Sequence, residues 1–542
     1  MEAADNVLLK TVLIHNKKNC LVTLFSTHIC WGLMSCGADA IGQYLEPFYY
    51  QRHESVPIQE IIAITPEKIQ HAQEKKQNAS LGIELISLET RSFCLHVVKR
   101  VGGHRWRVRK VIFDCPDGQA CGDWIDAVQS RLNSKEYGRP KHLLTFINPF
   151  GGKRKAVKIY EEKIEPLFYL AGIASEVIVT ERANHAHDYI LEEDLRHYDG
   201  IICVGGDGMF AELLNGLLRR TQQDAGIHDA NQETKLVNPR LKLGVIPGGS
   251  TDAVVYTTCG INDPVTSALH IIIGETVGVD VCSIHQENQI LRYCVSMLAY
   301  GYFGDVLIDS EKHRWMGPKR YDWSGFKRWC KKFVYEAEIS YLECPDTRHH
   351  PRDGSRCFAG CEICNSIQHS EGESLYSDDK WQTFQGRFIS FQSITMPCRC
   401  DLSPNGVSPS QHLSNGYTDL IIAKECSQVD FLRHMWRVKS KTTDQFDFDF
   451  VEVHRVKAFK FRPILEDGED EENDDSNGRQ RLRTRQLRAS SWNCDGEVLT
   501  EGFIDVKVHH QLIKLFARNI EDERQLKTDF CETSCYSCSA RR

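Results

Sequence analysis

Four short segments hold the residues best suited to chemistry: Asn148-Pro149-Phe150-Gly151-Gly152-Lys153, Gly205-Gly206-Asp207-Gly208, Pro247-Gly248-Gly249-Ser250-Thr251-Asp252 and Asp495-Gly496-Glu497. Three are glycine-rich turns, and paired glycines let backbone N–H groups converge on an anion without side-chain obstruction. Lys153 and Lys155 add positive charge beside the first turn. The apolar run Leu143, Leu144, Phe146, Ile147 before it reads as a buried parallel strand. Residues 200–204 read as another before the second turn, with a helix over 209–218 after it. This order puts Asp207 at the C-terminal end of a strand, where open α/β sheets collect ligands and reacting groups. Any one such turn is more often only a turn. Asp207 also has a purely structural reading, as a cap for the helix 209–218.

Taken in order, and with Glu212 and Asn215-Gly216, the segments follow the pattern Asn-Pro-x-x-Gly, Gly-Asp-Gly-x-x-x-Glu-x-x-Asn-Gly, Pro-x-Gly-Ser/Thr and Asp-Gly-Glu. Over about residues 140–520 the chain therefore resembles the lipid-kinase family of diacylglycerol and sphingosine kinases. Within it the resemblance is to the ceramide kinases. The segment from Gly301 to Arg314 is similar to the sphingosine kinase run Gly-Phe-x-Ala-Asp-Val-Asp-x-x-Ser-Glu-Lys-Tyr-Arg, but Leu307 replaces its second aspartate. In the sphingosine kinases that aspartate pairs with the substrate's ammonium. Ceramide carries a neutral amide there, so an unpaired buried carboxylate would be costly. The run Cys357-x-x-x-Cys361-x-x-Cys364 and a pleckstrin-like N-terminal region point the same way.

The resemblance implies transfer of the γ-phosphoryl of ATP to the primary hydroxyl of ceramide, with Mg2+ present. The alternatives are a sphingosine or diacylglycerol kinase, or an inactive membrane-binding module of the same fold. It implies that Asp207 is the base taking the hydroxyl proton, since phosphoryl transfer asks mainly for positioning and charge neutralisation. Nucleotide and phosphate contacts are expected from Asn148, Pro149, Gly151, Gly152, Lys153, Gly205, Gly206, Gly208, Glu212, Gly248, Gly249, Ser250, Thr251, Arg314, Arg320, Asp495, Gly496 and Glu497, and substrate contacts from Asp305 and Leu307. Asp252 stands where the family has asparagine, so it is expected to face magnesium, the ribose or a basic side chain. Cys357, Cys361 and Cys364 are candidate zinc ligands, with Cys344, His349, His350 or Cys398 as a fourth. The other reading is reduced thiols packed in a loop that shapes the lipid pocket.

The elements that must position these residues suggest α/β plus all-β architecture. A chain of 542 residues with 41% apolar content is too long for one core. Residues 1–135, with alternating strands at 20–24, 92–98 and 106–113 and a helix at 122–132, resemble a pleckstrin homology domain. Trp124 would be its inward tryptophan and Asp123 would sit near the helix N-terminus. Lys10, Lys17 and Lys18, with Lys99, Arg100 and Arg105, either bind a phosphoinositide headgroup or form a solvated face. Residues 139–265 alternate strand and helix, as an α/β nucleotide-binding lobe does. Residues 266–520 read as an antiparallel β-sandwich lobe interrupted by a disordered acidic and basic loop at 466–490, and 521–542 as a tail.

Two segments read as regulatory. Arg485-Gln-Leu-Arg-Ala-Ser490 resembles a site for basophilic protein kinases. The run from Phe431 to Lys441 is a basic amphipathic helix, with Phe431, Leu432, Met435 and Val438 or Trp436 as its apolar face. Calmodulin, an anionic membrane or simple core packing would each use it, and the resemblance adds Ca2+ as a regulator. A net charge of −8 argues against a nucleic-acid protein. No run of 18 apolar residues occurs and the first residues are polar, so a cytoplasmic protein with 22 mostly reduced cysteines is expected. The resemblance places it peripherally on intracellular (Golgi) and plasma membranes.

Overall fold

The computed structural model describes residues 6–34, 53–67, 91–152, 154–227, 232–249, 252–287, 289–317, 319–331, 333–344, 349–366, 381–464 and 489–522. The acidic and arginine-rich run up to residue 488 lies outside them, as do Lys153, Ser250, Thr251 and residues 523–542. The chain divides into two compact units: residues 1–142 with 162–175 and 268–275, and the remainder.

The first unit is built on a seven-stranded antiparallel sheet. Its first hairpin joins Val7–His15 to Lys18–Phe25 through Asn16 and Lys17, with φ of 51° and 62°. Two successive positive φ values are what a two-residue turn matching the sheet's twist requires. Lys10, Lys17 and Lys18 are exposed on this hairpin, as are Lys99 and Arg105 on another. Arg100 is not available with them, because its guanidinium is held by both oxygens of Glu60 (2.9 and 2.6 Å). The helix Gly118–Leu132 closes the sheet with Cys121, Trp124, Val128 and Leu132, whose spacing of three and four residues lines one face. Trp124 is fully buried and stacks on Phe93 with ring centroids 5.9 Å apart. The helix N-cap is Asp117, whose carboxylate accepts from Ala120 N at 2.8 Å. Asp123 lies a turn further on and accepts from Gln119 instead, since the helix starts four residues earlier than expected.

In the second unit the strands His142–Ile147, Gly200–Gly205 and Lys242–Pro247 run parallel, with Val204 opposite Ile147 and Gly205 opposite Pro247. They are continuous apolar runs because both faces are covered. The shared register makes the three glycine turns leave the sheet at the same level. The long strand Ile504–Phe516 pairs parallel with Lys242–Pro247 at Leu515 and antiparallel with Thr276–Gln286 and Val451–Pro463. It joins the α/β half and the antiparallel half into one hydrogen-bonded sheet. The antiparallel half closes on an aromatic core of Tyr300, Tyr335, Phe388, Phe391, Phe461 and Trp492.

The helix Gln428–Lys439 divides the apolar face read from its sequence. Phe431 and His434 are buried and Met435 packs beside Tyr302, while Leu432 (45% exposed) and Trp436 (75% exposed) face outward with Val429. Among the described residues no helix is long and apolar enough to cross a membrane.

Candidate active site

The three glycine turns meet where the parallel strands end. Gly248 N donates to Gly205 O and Asn148 N to Val204 O, each at 3.0 Å. The Asn148 side-chain oxygen accepts from Phe150 N (2.9 Å) and Gly151 N (3.1 Å), an Asx turn that fixes the first loop. Contact between the turns leaves no room for side chains. A Cβ on Gly152, whose φ is 53°, would come within 2.5 Å of Gly248 O, and one on Gly249 within 2.4 Å of Gly206 Cα. At Gly208 a Cβ would meet open space, so the start of the helix Asp207–Asp224 faces outward from this cradle.

Asp207 is the first residue of that helix, with Gly206 as N-cap. Its carboxylate turns to a different helix: Oδ2 accepts from Ala253 N (3.0 Å) and Oδ1 from Val254 N (3.2 Å), at the start of Ala253–Cys259. Each oxygen keeps further acceptor capacity. Asp207 is half-buried, and burial pushes its pKa up. The two backbone bonds oppose that shift and the negative charge of Asp495 adds to it. A carboxyl displaced toward neutral is better matched to taking an alcohol proton.

Asp252 has none of the expected charged partners in its hydrogen bonds. It is 2% exposed, and its oxygens accept from Gly249 N (3.0 Å) and Asn262 Nδ2 (2.8 Å). Burial, and then the charge on Asp207, push it up to about 6. Neutral amide donors thus let aspartate occupy a position where an asparagine would also fit.

Several residues expected to meet the nucleotide also hold the scaffold together. Glu212 accepts from Ala186 N (2.9 Å) and His187 N (3.4 Å), capping the start of the helix His185–Glu192. Asp495 takes Val295 N, Ser296 N and Met297 N at 2.8–3.0 Å and the Ser296 hydroxyl at 2.5 Å, so its carboxylate is consumed in folding a strand corner. Oδ1 carries most of these bonds and the residue is 4% exposed, so Asp495 serves the fold, and its influence on Asp207 is electrostatic. Glu497 pairs with Arg292 at 2.6 Å. Arg320 stacks on Tyr321 and lies 3.3 Å from Glu311. Arg314 opens a single helical turn, Arg314–Met316, and its side chain is outside the described set.

The expected substrate contacts separate. Asp305 lines an apolar depression with Tyr302, Trp329, Phe333 and Phe431, and there it accepts from Arg328 (3.1 Å), Tyr335 (2.6 Å) and Ser490 (2.6 Å). Leu307 is buried and does not line it. Ser490, read from its arginine-rich surroundings as a modification site, is 7% exposed and committed to Asp305. The arginines that suggested a kinase site lie outside the described residues.

Cys357, Cys361 and Cys364 gather around His412, and among the described residues none of Cys344, His349, His350 or Cys398 joins them. No spacing rule could have found His412, which lies 51 residues beyond Cys361.

Comparison with known proteins covers the same regions. Residues 9–128 match the family profile described as Ceramide kinase PH domain, 142–284 Diacylglycerol kinase catalytic domain, and 296–536 Ceramide kinase C-terminal domain. Ceramide kinase of Homo sapiens is 43% identical over 488 residues, covering 86% of this chain and 89% of its own length. Its Mus musculus counterpart is 44% identical over 489 residues, covering 86% and 90%. Sphingosine kinase 1 of Arabidopsis thaliana is 32% identical over 408 residues, covering 73% and 78%. With the glycine cradle, the clamped aspartate and matches of one kind along most of its length, the chain belongs to the ceramide kinase family.

Proposed function

We propose that the chain transfers the γ-phosphoryl of ATP to the primary hydroxyl of ceramide, giving ceramide 1-phosphate and ADP. The observation that carries this reading is Asp207, clamped by two backbone N–H groups beside three touching glycine turns. The polyphosphate lies against the N–H groups of Gly152, Gly206 and Gly208, where a side chain would obstruct it, while the N–H groups of Gly151 and Gly249 hold the turns in shape. Asp207 receives the hydroxyl proton as the new O–P bond forms and the bond to the departing ADP oxygen breaks. Magnesium, when bound, neutralises phosphate charge. Asp207 and Asp252 are hard oxygen donors whose mutual repulsion such an ion relieves, so they would hold it, through its waters where their oxygens are already engaged.

The choice of lipid rests on the neutrality of its amide. Asp305 is already met by Arg328, Tyr335 and Ser490, and Leu307 stands where the sphingosine kinases have an aspartate, so a cationic ammonium finds no unpaired carboxylate among these residues. A panel of ceramide, sphingosine and diacylglycerol with labelled ATP tests the assignment. Ceramide should be phosphorylated fastest, and a preference for sphingosine would sink the argument.

The N-terminal unit brings the enzyme to its lipid. Lys10, Lys17 and Lys18 on the first hairpin suit a phosphoinositide headgroup on Golgi or plasma membranes, each basic residue adding about 1 kcal/mol near an anionic leaflet. The outward stripe Val429, Leu432 and Trp436 suits a lipid surface as well. Calcium-loaded calmodulin would have to draw Phe431 and His434 out of the fold to use the same helix, so titration of the whole enzyme with calmodulin should leave Trp436 fluorescence unchanged.

A further inference from the structure

We propose that Cys357, Cys361, Cys364 and His412 form a tetrahedral zinc site that braces the loops packed on the helix Ala253–Cys259. Their four ligand atoms lie within 4.8 Å of one another. A zinc–sulfur bond of about 2.3 Å gives a tetrahedron with sulfurs about 3.8 Å apart, and a sulfur–nitrogen edge somewhat shorter. Cys357 Sγ and Cys364 Sγ are 3.7 Å apart, and Cys361 Sγ and His412 Nδ1 are 3.2 Å apart. The sulfur separation is far beyond the roughly 2.05 Å of a disulfide, and all three cysteines are free thiols.

The surroundings are those of a ligand set. His412 Nε2 is 2.9 Å from the Ser355 hydroxyl, which itself donates to Asp353 at 2.6 Å. A partner on the far ring nitrogen fixes the imidazole's orientation and leaves Nδ1 to coordinate. Asn519 Nδ2 donates to Cys357 Sγ at 3.2 Å and fixes the position of that sulfur. Cys357 and His412 are 3% and 1% exposed. Reduced thiols can fill a core as small apolar groups, but filling does not require three sulfurs and a ring nitrogen to point at one centre. A divalent ion does, and it compensates the buried thiolate charge.

Four protein ligands leave no open position, which marks the site as structural. Arg356, beside Cys357, donates to the carbonyls of Asn405 and Pro409. From that loop Arg399 N reaches Thr257 Oγ1 (3.1 Å), and Asp401 accepts from Tyr256 (2.5 Å). Tyr256 and Thr257 lie on Ala253–Cys259, the helix whose first N–H groups hold Asp207. Loss of the ion would loosen that support without touching a substrate.

Metal content of the full-length protein, purified without chelator after growth with added zinc, tests the site independently of kinase activity. About one zinc per chain is expected, with cobalt exchange giving the intense visible bands of tetrahedral thiolate coordination. His412→Cys should keep the metal and shift those bands as sulfur replaces nitrogen, and Cys344→Ser should change nothing. Cys361→Ser and His412→Ala, checked for fold by circular dichroism, should lose affinity by about tenfold or more. Folded wild-type protein with under about a tenth of a zinc per chain would overturn the proposal. So would equal metal content in the wild type, Cys361→Ser and His412→Ala.

Discussion

Replacing Asp252 with asparagine removes a buried charge while keeping the backbone it sits on. The side chain is 2% exposed and accepts from Gly249 N and Asn262, and the residue stands at the N-cap position of the helix Ala253–Cys259 in a left-handed conformation (φ 53°) that asparagine also tolerates. An asparagine oxygen can keep the Gly249 bond, and the Asn262 amide can rotate to face the new NH2 group. The folded-state pKa of Asp252 is about 6 against an ordinary 3.8. A carboxyl whose folded pKa is raised holds its proton more tightly in the folded chain. It therefore costs nothing below about pH 4, costs progressively more as pH rises, and costs its full amount above about pH 6. Two pKa units correspond to about 3 kcal/mol at pH 7.5 and, by the same relation, about 1.5 kcal/mol at pH 5. Asp252→Asn should thus stabilise the catalytic unit by up to about 3 kcal/mol at pH 7.5, raising its melting temperature by roughly 6 °C, and by about half as much at pH 5. Calorimetry of the two proteins at both pH values measures the gap. A gap that is the same at both, or that reverses sign, would refute the reasoning that burial and Asp207 make this carboxylate unfavourable.

Asp207→Asn should preserve the fold and ATP binding yet lower turnover by about two to four orders of magnitude; near-normal kcat would remove Asp207 as the base. Gly249→Ala, whose Cβ would sit 2.4 Å from Gly206 Cα, should force the turns apart and abolish measurable ATP binding, as read by isothermal titration. Ser490→Glu would set a second carboxylate against Asp305 in a 7% exposed position, and a drop in melting temperature with loss of activity is expected. Ready phosphorylation of Ser490 in the folded protein would contradict that burial.

What the sequence alone determined is local. Paired glycines after apolar runs located the three turns, because a turn's chemistry lies within a few consecutive residues and a buried parallel strand is a continuous apolar stretch. Trp124 was legible as an inward residue through the resemblance of residues 1–135 to a pleckstrin homology domain, whose single C-terminal helix carries an inward tryptophan. Tertiary structure decided which partners those residues meet. The donors that clamp Asp207 lie 46 and 47 residues away, and those that hold Asp495 about 200 residues away. Neither distance leaves any periodic trace. Glu212 and Asp495 stand in a motif, and only the fold shows that backbone N–H groups from other elements meet both carboxylates, since a carboxylate withdrawn from water takes the donors the fold brings to it. The same physics hid His412, which meets the three cysteines only by convergence in space, and Ser490 is buried for the same reason despite the charge of its neighbours in sequence.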